Sequence, residues 1–94
     1  MSLQEIINSE QGTVVDVRTP MEFMGGNVAD SKNIPLDQIM SRMEELRTLA
    51  QPLILVCASG NRSGMAQQYL SKQGFECYNG GSWLDVNYLV SQKA

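Results

Sequence analysis

The chain has 94 residues, 43% of them hydrophobic, a formal net charge of −3 and no histidine. That length makes a single domain over 1–94 with room for a core, and its two cysteines are too few for a disulfide-stapled scaffold, so packing must hold the fold. An acidic balance without a basic patch argues against nucleic acid and anionic membranes as partners, and the missing histidine removes the commonest general base and metal ligand.

No apolar run approaches the roughly 18 residues needed to span a bilayer. Met1-Ser2-Leu3-Gln4-Glu5 has neither a basic leader region nor a long apolar one, so a cytoplasmic location is expected. A secreted or periplasmic chain with its signal peptide removed would read the same.

In chain order, Ser2 to Glu5 reads as a capping box that opens a short helix ended before Gly12. Residues 13–17 form a β-branched run and predict a buried strand. Thr19-Pro20-Met21-Glu22 is a second capping box with proline at the first helical position, which makes Glu22 a capping residue. Gly25-Gly26 stops that helix, and a brief strand around Asn33-Ile34 ends at Pro35.

Ile39, Met43, Leu46 and Ala50 share one face of a helix expected over about 37–49. After Pro52, Leu53-Ile54-Leu55-Val56-Cys57 is continuously apolar, as expected of a central parallel strand covered on both faces. Residues 63–73 predict a helix stopped by Gly74, and residues 75–78 a strand. Asn79-Gly80-Gly81 reads as a turn, with Ser82 capping a last helix that carries Trp83, Val86, Leu89 and Val90. The alternation predicts an α/β fold: a small open, mostly parallel sheet with helices on both faces. Ligands of such sheets bind beyond the carboxyl ends of the strands, and the most apolar strand ends at Cys57.

Cys57-Ala58-Ser59-Gly60-Asn61-Arg62-Ser63 leaves that strand and enters a helix. A short glycine-containing loop there can turn several backbone N–H groups inward and form an anion-binding nest. The positive helix end and the charge of Arg62 both favour thiolate over thiol at Cys57, which would activate a nucleophile without histidine. Cys77 falls in a predicted strand and reads as core, although a Cys57–Cys77 redox switch is a further reading.

Here the chain resembles the rhodanese family of sulfurtransferases. Residues 57–63 are similar to that family's active-site loop. Asp16-Val17-Arg18 with Glu22-Phe23 resembles its first-strand signature, Asn33-Ile34-Pro35-Leu36 the segment after its second strand, and Gly80-Gly81 the glycine pair after its last. The resemblance implies a rhodanese-like fold and a sulfurtransferase with Cys57 as the catalytic residue. Thiolate Cys57 would take the outer sulfur of thiosulfate or a related sulfane donor and become a persulfide. Cyanide, a thiol or a sulfur-accepting protein would then remove that sulfur. Ala58, Ser59, Gly60, Asn61, Arg62 and Ser63 would bind substrate and persulfide, with Asp16 and Arg18 as a supporting pair. No metal and no organic cofactor would be needed.

Two departures stand out. Asn27 occupies the stretch after Gly25-Gly26 where the family usually has histidine, with the expectation that a short polar side chain still holds the turn. Trp83 lies closer to Gly80-Gly81 than is usual for the family, so the last helix is expected to pack differently. Two other function classes compete. One is a non-catalytic or sulfur-carrier interaction module. The other is a cysteine-dependent phosphatase or arsenate reductase, but four residues separate Cys57 from Arg62 where the related phosphatases have five, and no aspartate follows to act as general acid.

Overall fold

The computed structural model describes residues 2–92. Helix α1 (Leu3–Asn8) opens with the expected capping box: Ser2 Oγ accepts from the Glu5 N–H and the Glu5 carboxylate accepts from the Ser2 N–H. Strand β1 (Thr13–Asp16) leads to α2 (Pro20–Met24), where Thr19 and Glu22 form the second capping box. Asn27 donates its side-chain N–H to the Phe23 carbonyl at 2.8 Å, so a short amide does hold the turn after α2.

Strand β2 (Lys32–Asn33) follows. The predicted helix over 37–49 is instead two 3-10 turns, Leu36–Gln38 and Met40–Arg42, and a one-and-a-half-turn helix, α3 (Met43–Arg47). No side chain caps these turns, and Arg42 leaves helical geometry with φ −117° and ψ 27°, so hydrogen bonds run to the third residue back, as from Arg42 to Ile39. The periodicity was still meaningful in part, since Ile39 and Leu46 are both buried in one cluster while Ala50 is exposed.

Strand β3 (Leu53–Cys57) is buried at all five residues. Helix α4 spans Asn61–Lys72, two residues earlier than residue 63, with Gly60 at its N-cap. At its other end Gly74 has φ +92°, and the Phe75 and Gly74 N–H groups bond the carbonyls of Leu70 and Ser71, a Schellman motif. Phe75 therefore belongs to the helix end, and β4 is Cys77–Ser82 rather than 75–78. The predicted turn at Asn79-Gly80-Gly81 lies inside this strand. Leu55 pairs with Asn79 and Val56 with Gly81, leaving Gly80 as the additional residue of a bulge. A side chain at Gly80 would meet Ile54, Val56 and Val86 at 2.9–3.1 Å, so glycine serves packing here, not reversal of the chain. Ser82 then caps α5 (Trp83–Ser91) through the Leu84 N–H.

The four strands are parallel in the order β2-β1-β3-β4, which puts β3 in the interior. Its side chains alternate between two cores. Leu53, Leu55 and Cys57 face Leu46 of α3 and Ala66 and Leu70 of α4. Ile54 and Val56 face Ile6 and Ile7 of α1 and Val86 of α5. Helices on both faces explain why β3 reads as an unbroken apolar run. No helix among the described residues is long and apolar enough to cross a membrane.

Candidate functional site

Cys57 ends β3, and only residues 58–60 separate it from α4. Gly60 makes this tight turn possible. It sits at φ +101°, and a side chain there would lie 3.4 Å from the Gly81 Cα. The first N–H groups of a helix have no partner within it, and α4 has no side-chain cap. The sulfur takes that place: Cys57 Sγ accepts from the Gly60 N–H at 2.9 Å and from the Ser63 N–H at 3.4 Å. The Ser63 hydroxyl lies 3.4 Å from the same sulfur.

The sulfur is recessed, with Cys57 1% exposed. Burial pushes its pKa up. The Ser63 hydroxyl, when it donates to the sulfur, and the N–H groups of Ser63, Gly60 and Ser59 pull it down and prevail, leaving the thiol below its ordinary value. Arg62, expected to supply much of that potential, is engaged elsewhere. Its two terminal nitrogens donate to the two Glu22 carboxylate oxygens at 2.7 and 3.1 Å. Arg62 holds the Glu22 carboxyl down at about 2, and Glu22 raises the Arg62 guanidinium in return. Activation therefore comes from the hydrogen-bond donors gathered at the sulfur, with the charge of Arg62 offset by its partner.

Of the remaining loop residues, Ala58, Ser59 and Asn61 are exposed and Ser63 is fully buried. Asp16 and Arg18 form a buried ion pair at 2.8 Å, both carboxylate oxygens accepting from the guanidinium. Arg18 also donates to the Gly26 carbonyl at 2.7 Å and stacks 4.6 Å from the centre of the Trp83 ring. Trp83, half-buried at the start of α5, thereby tucks its ring under the turn after α2. A cavity of about 280 Å³ adjoins Arg62 and is lined by Val17, Thr19, Pro35, Leu36 and Asp37.

Two residues of the site were not assigned to it from the sequence. The sequence marks Glu22 only as a cap, yet it also holds Arg62, 40 positions away. Asn79 reads as a turn residue, yet its side chain bonds both Ser63 and Gly60. Neither pairing leaves a local signal. The disulfide between Cys57 and Cys77 is excluded by register. Cys77 pairs with Leu53, four residues below Cys57 on β3, which separates the cysteines by roughly 13 Å along the strand where a disulfide tolerates about 7 Å between Cα atoms.

A family model described as "Rhodanese-like domain" matches residues 2–84. The uncharacterized protein YqhL of Bacillus subtilis is 46% identical over 67 residues, covering 70% of this chain and 52% of that protein. A protein of Pseudomonas syringae named thiosulfate sulfurtransferase GlpE is 42% identical over 67 residues, covering 70% of this chain and 62% of its own length. The chain thus spans between half and two thirds of these relatives. Among solved structures, a rhodanese-related protein from Thermoplasma volcanium superimposes with a TM-score of 0.71 at 29% identity, covering 93% of this chain and 85% of that one.

Proposed function

The chain belongs to the rhodanese-like family, and on that premise we propose that it is a sulfurtransferase that carries sulfur as a persulfide on Cys57. The observation that carries this reading is the Cys57 sulfur seated where the uncapped α4 N-terminus and the Gly60 turn present N–H donors. Such a seat stabilises a thiolate, and equally the anionic sulfur of a persulfide.

In the first step the thiolate attacks the outer sulfur of thiosulfate or a related sulfane donor. The donor's S–S bond breaks, and sulfite leaves with the electron pair. The new outer sulfur stands about 2 Å farther out than Sγ, which brings the reactive atom from the floor of the cup toward its mouth. Cyanide or a thiol then attacks that sulfur and leaves as thiocyanate or a persulfide, returning Cys57 to thiolate. The loop from Ala58 to Ser63 holds the persulfide, Arg62 steers the donor, and the Asp16–Arg18 pair fixes the strand end that carries the loop. Three residues between strand and helix, with Gly60 already 2.9 Å from the sulfur, suit one added sulfur atom better than a tetrahedral phosphate.

Intact mass tests the reading. Thiosulfate should add one sulfur, about 32 Da, at Cys57, and cyanide should remove it while releasing thiocyanate. A mass unchanged by a range of sulfane donors would refute the proposal. Loading without turnover by any acceptor would identify a stoichiometric sulfur carrier instead.

A further inference from the structure

The Ser63 hydroxyl has one proton and two neighbours that want it. One is Cys57 Sγ at 3.4 Å and the other is Asn79 Oδ1 at 2.6 Å. The orientation of the Asn79 amide is fixed from both sides. Its Nδ2 donates to the Gly60 carbonyl at 3.1 Å, and its Oδ1 accepts from the Gly81 N–H at 2.9 Å. The oxygen therefore faces Ser63, and the short contact can be made only if Ser63 donates. The hydroxyl then presents a lone pair to the sulfur. That arrangement accepts a hydrogen bond from a thiol but opposes a thiolate or an anionic persulfide.

We propose that Asn79 is a positioning residue for Cys57: it holds the Ser63 proton away from the sulfur, favouring the thiol at rest, and releases it when the sulfur becomes anionic. The Ser63 hydroxyl supports the anion only after rotating from Asn79 to Cys57. The backbone donors of Gly60 and Ser63 have no such choice and support the anion throughout. The bulge of β4 contributes to this placement, because Asn79 is the last residue paired with β3 before the additional Gly80. The same amide ties the turn at Gly60 to β4, so loop position and proton position are set by one side chain.

The charged groups around the sulfur are Arg62 of α4 with its partner Glu22 of α2, the buried Asp16–Arg18 pair at the end of β1, and Asp37 beside Arg62 in the adjoining cavity. Strand β4 brings no charged side chain. A neutral substitution at Asn79 therefore leaves the charges in place, removing the acceptor of the Ser63 proton together with the tie to Gly60, and a Ser63→Ala background separates the two losses.

The proposal deepens the sulfurtransferase reading and rests on Cys57 being its nucleophile, but its test needs no transferase activity. The probe is iodoacetamide, with alkylation of Cys57 followed by peptide mass against pH. Asn79→Leu, of similar branching and without an acceptor, should lower the Cys57 pKa by about one unit and raise the alkylation rate near pH 6 by up to about tenfold. Asn79→Ala should move it in the same direction. Asn79→Asp, which keeps the acceptor for Ser63, should not lower it. In a Ser63→Ala background, Asn79→Leu should have no effect on the pKa. A wild-type pKa in either neutral variant, a fall in Asn79→Asp, or a fall that persists without the Ser63 hydroxyl would overturn the proposal. If these shifts appear in protein that no sulfane donor loads, the positioning role stands and the transferase reading falls.

Discussion

The two cysteines are both buried, both free, and both part of the same core cluster under α4, yet their surroundings differ. Cys57 ends its strand at an uncapped helix N-terminus and receives two backbone N–H donors. Cys77 begins its strand at the other end of the sheet, beside the C-terminal turns of α4. Its sulfur lies 3.4 Å from the Ser71 hydroxyl and donates to the Gln67 carbonyl at 3.7 Å. Helix α4 thus offers backbone N–H donors to one cysteine and a backbone carbonyl acceptor to the other. Burial alone disfavours a thiolate, and at Cys57 the Ser63 hydroxyl and the local N–H groups overcome it.

The most direct way to break this comparison is to exchange each sulfur for oxygen. Cys57→Ser should abolish sulfur loading, a loss of about a thousandfold or more in transfer rate, while leaving the fold intact. Cys77→Ser should keep the transfer rate within about twofold and cost about 1 kcal/mol of stability in urea unfolding. Loss of transfer in a folded Cys77→Ser protein would show that the two ends of α4 are not functionally distinct.

The scaffold around the Cys57 end is tested next. Asp16→Ala leaves Arg18 buried at 4% exposure without its carboxylate. Removing one partner of a buried pair costs about 3–5 kcal/mol, a large share of the stability of a domain this small, and the urea midpoint should fall accordingly. An unchanged midpoint would mean that Trp83 and the Gly26 carbonyl suffice to hold Arg18.

The smallest effect concerns Glu22. Glutamine can still serve the capping box, so Glu22→Gln removes the charge facing Arg62 while keeping the helix start. With Arg62 no longer offset, the KM for thiosulfate should fall about threefold with kcat little changed, because one half-buried cation open to solvent adds only modest attraction for a dianion. The native pair has its own pH signature. The Glu22 carboxyl is depressed from 4.5 to about 2, so the stability it adds is present above pH 4.5 and is lost as pH falls toward 2. Acid unfolding of Glu22→Gln should lack that component.

Both capping boxes, the central strand, the Gly74 stop and the sharp turn from Cys57 into a helix were legible in the sequence, although the helix starts two residues before Ser63, because each depends on residues a few positions apart. The buried Asp16–Arg18 pair belongs to the same class, two residues apart on and after one strand. The errors had a different origin. The helix over 37–49 was broken because the segment follows the core surface through 3-10 turns, and Asn79-Gly80-Gly81 was read as a turn because glycine's need for space in a sheet looks the same as its freedom to reverse the chain. Which donors face the sulfur, which carboxylate occupies Arg62 and which amide takes the Ser63 proton were decided only by tertiary structure. These contacts join α2, α4 and β4 across 16 to 40 residues, and a hydrogen bond at that separation depends on strand order and register, which local residue patterns do not encode.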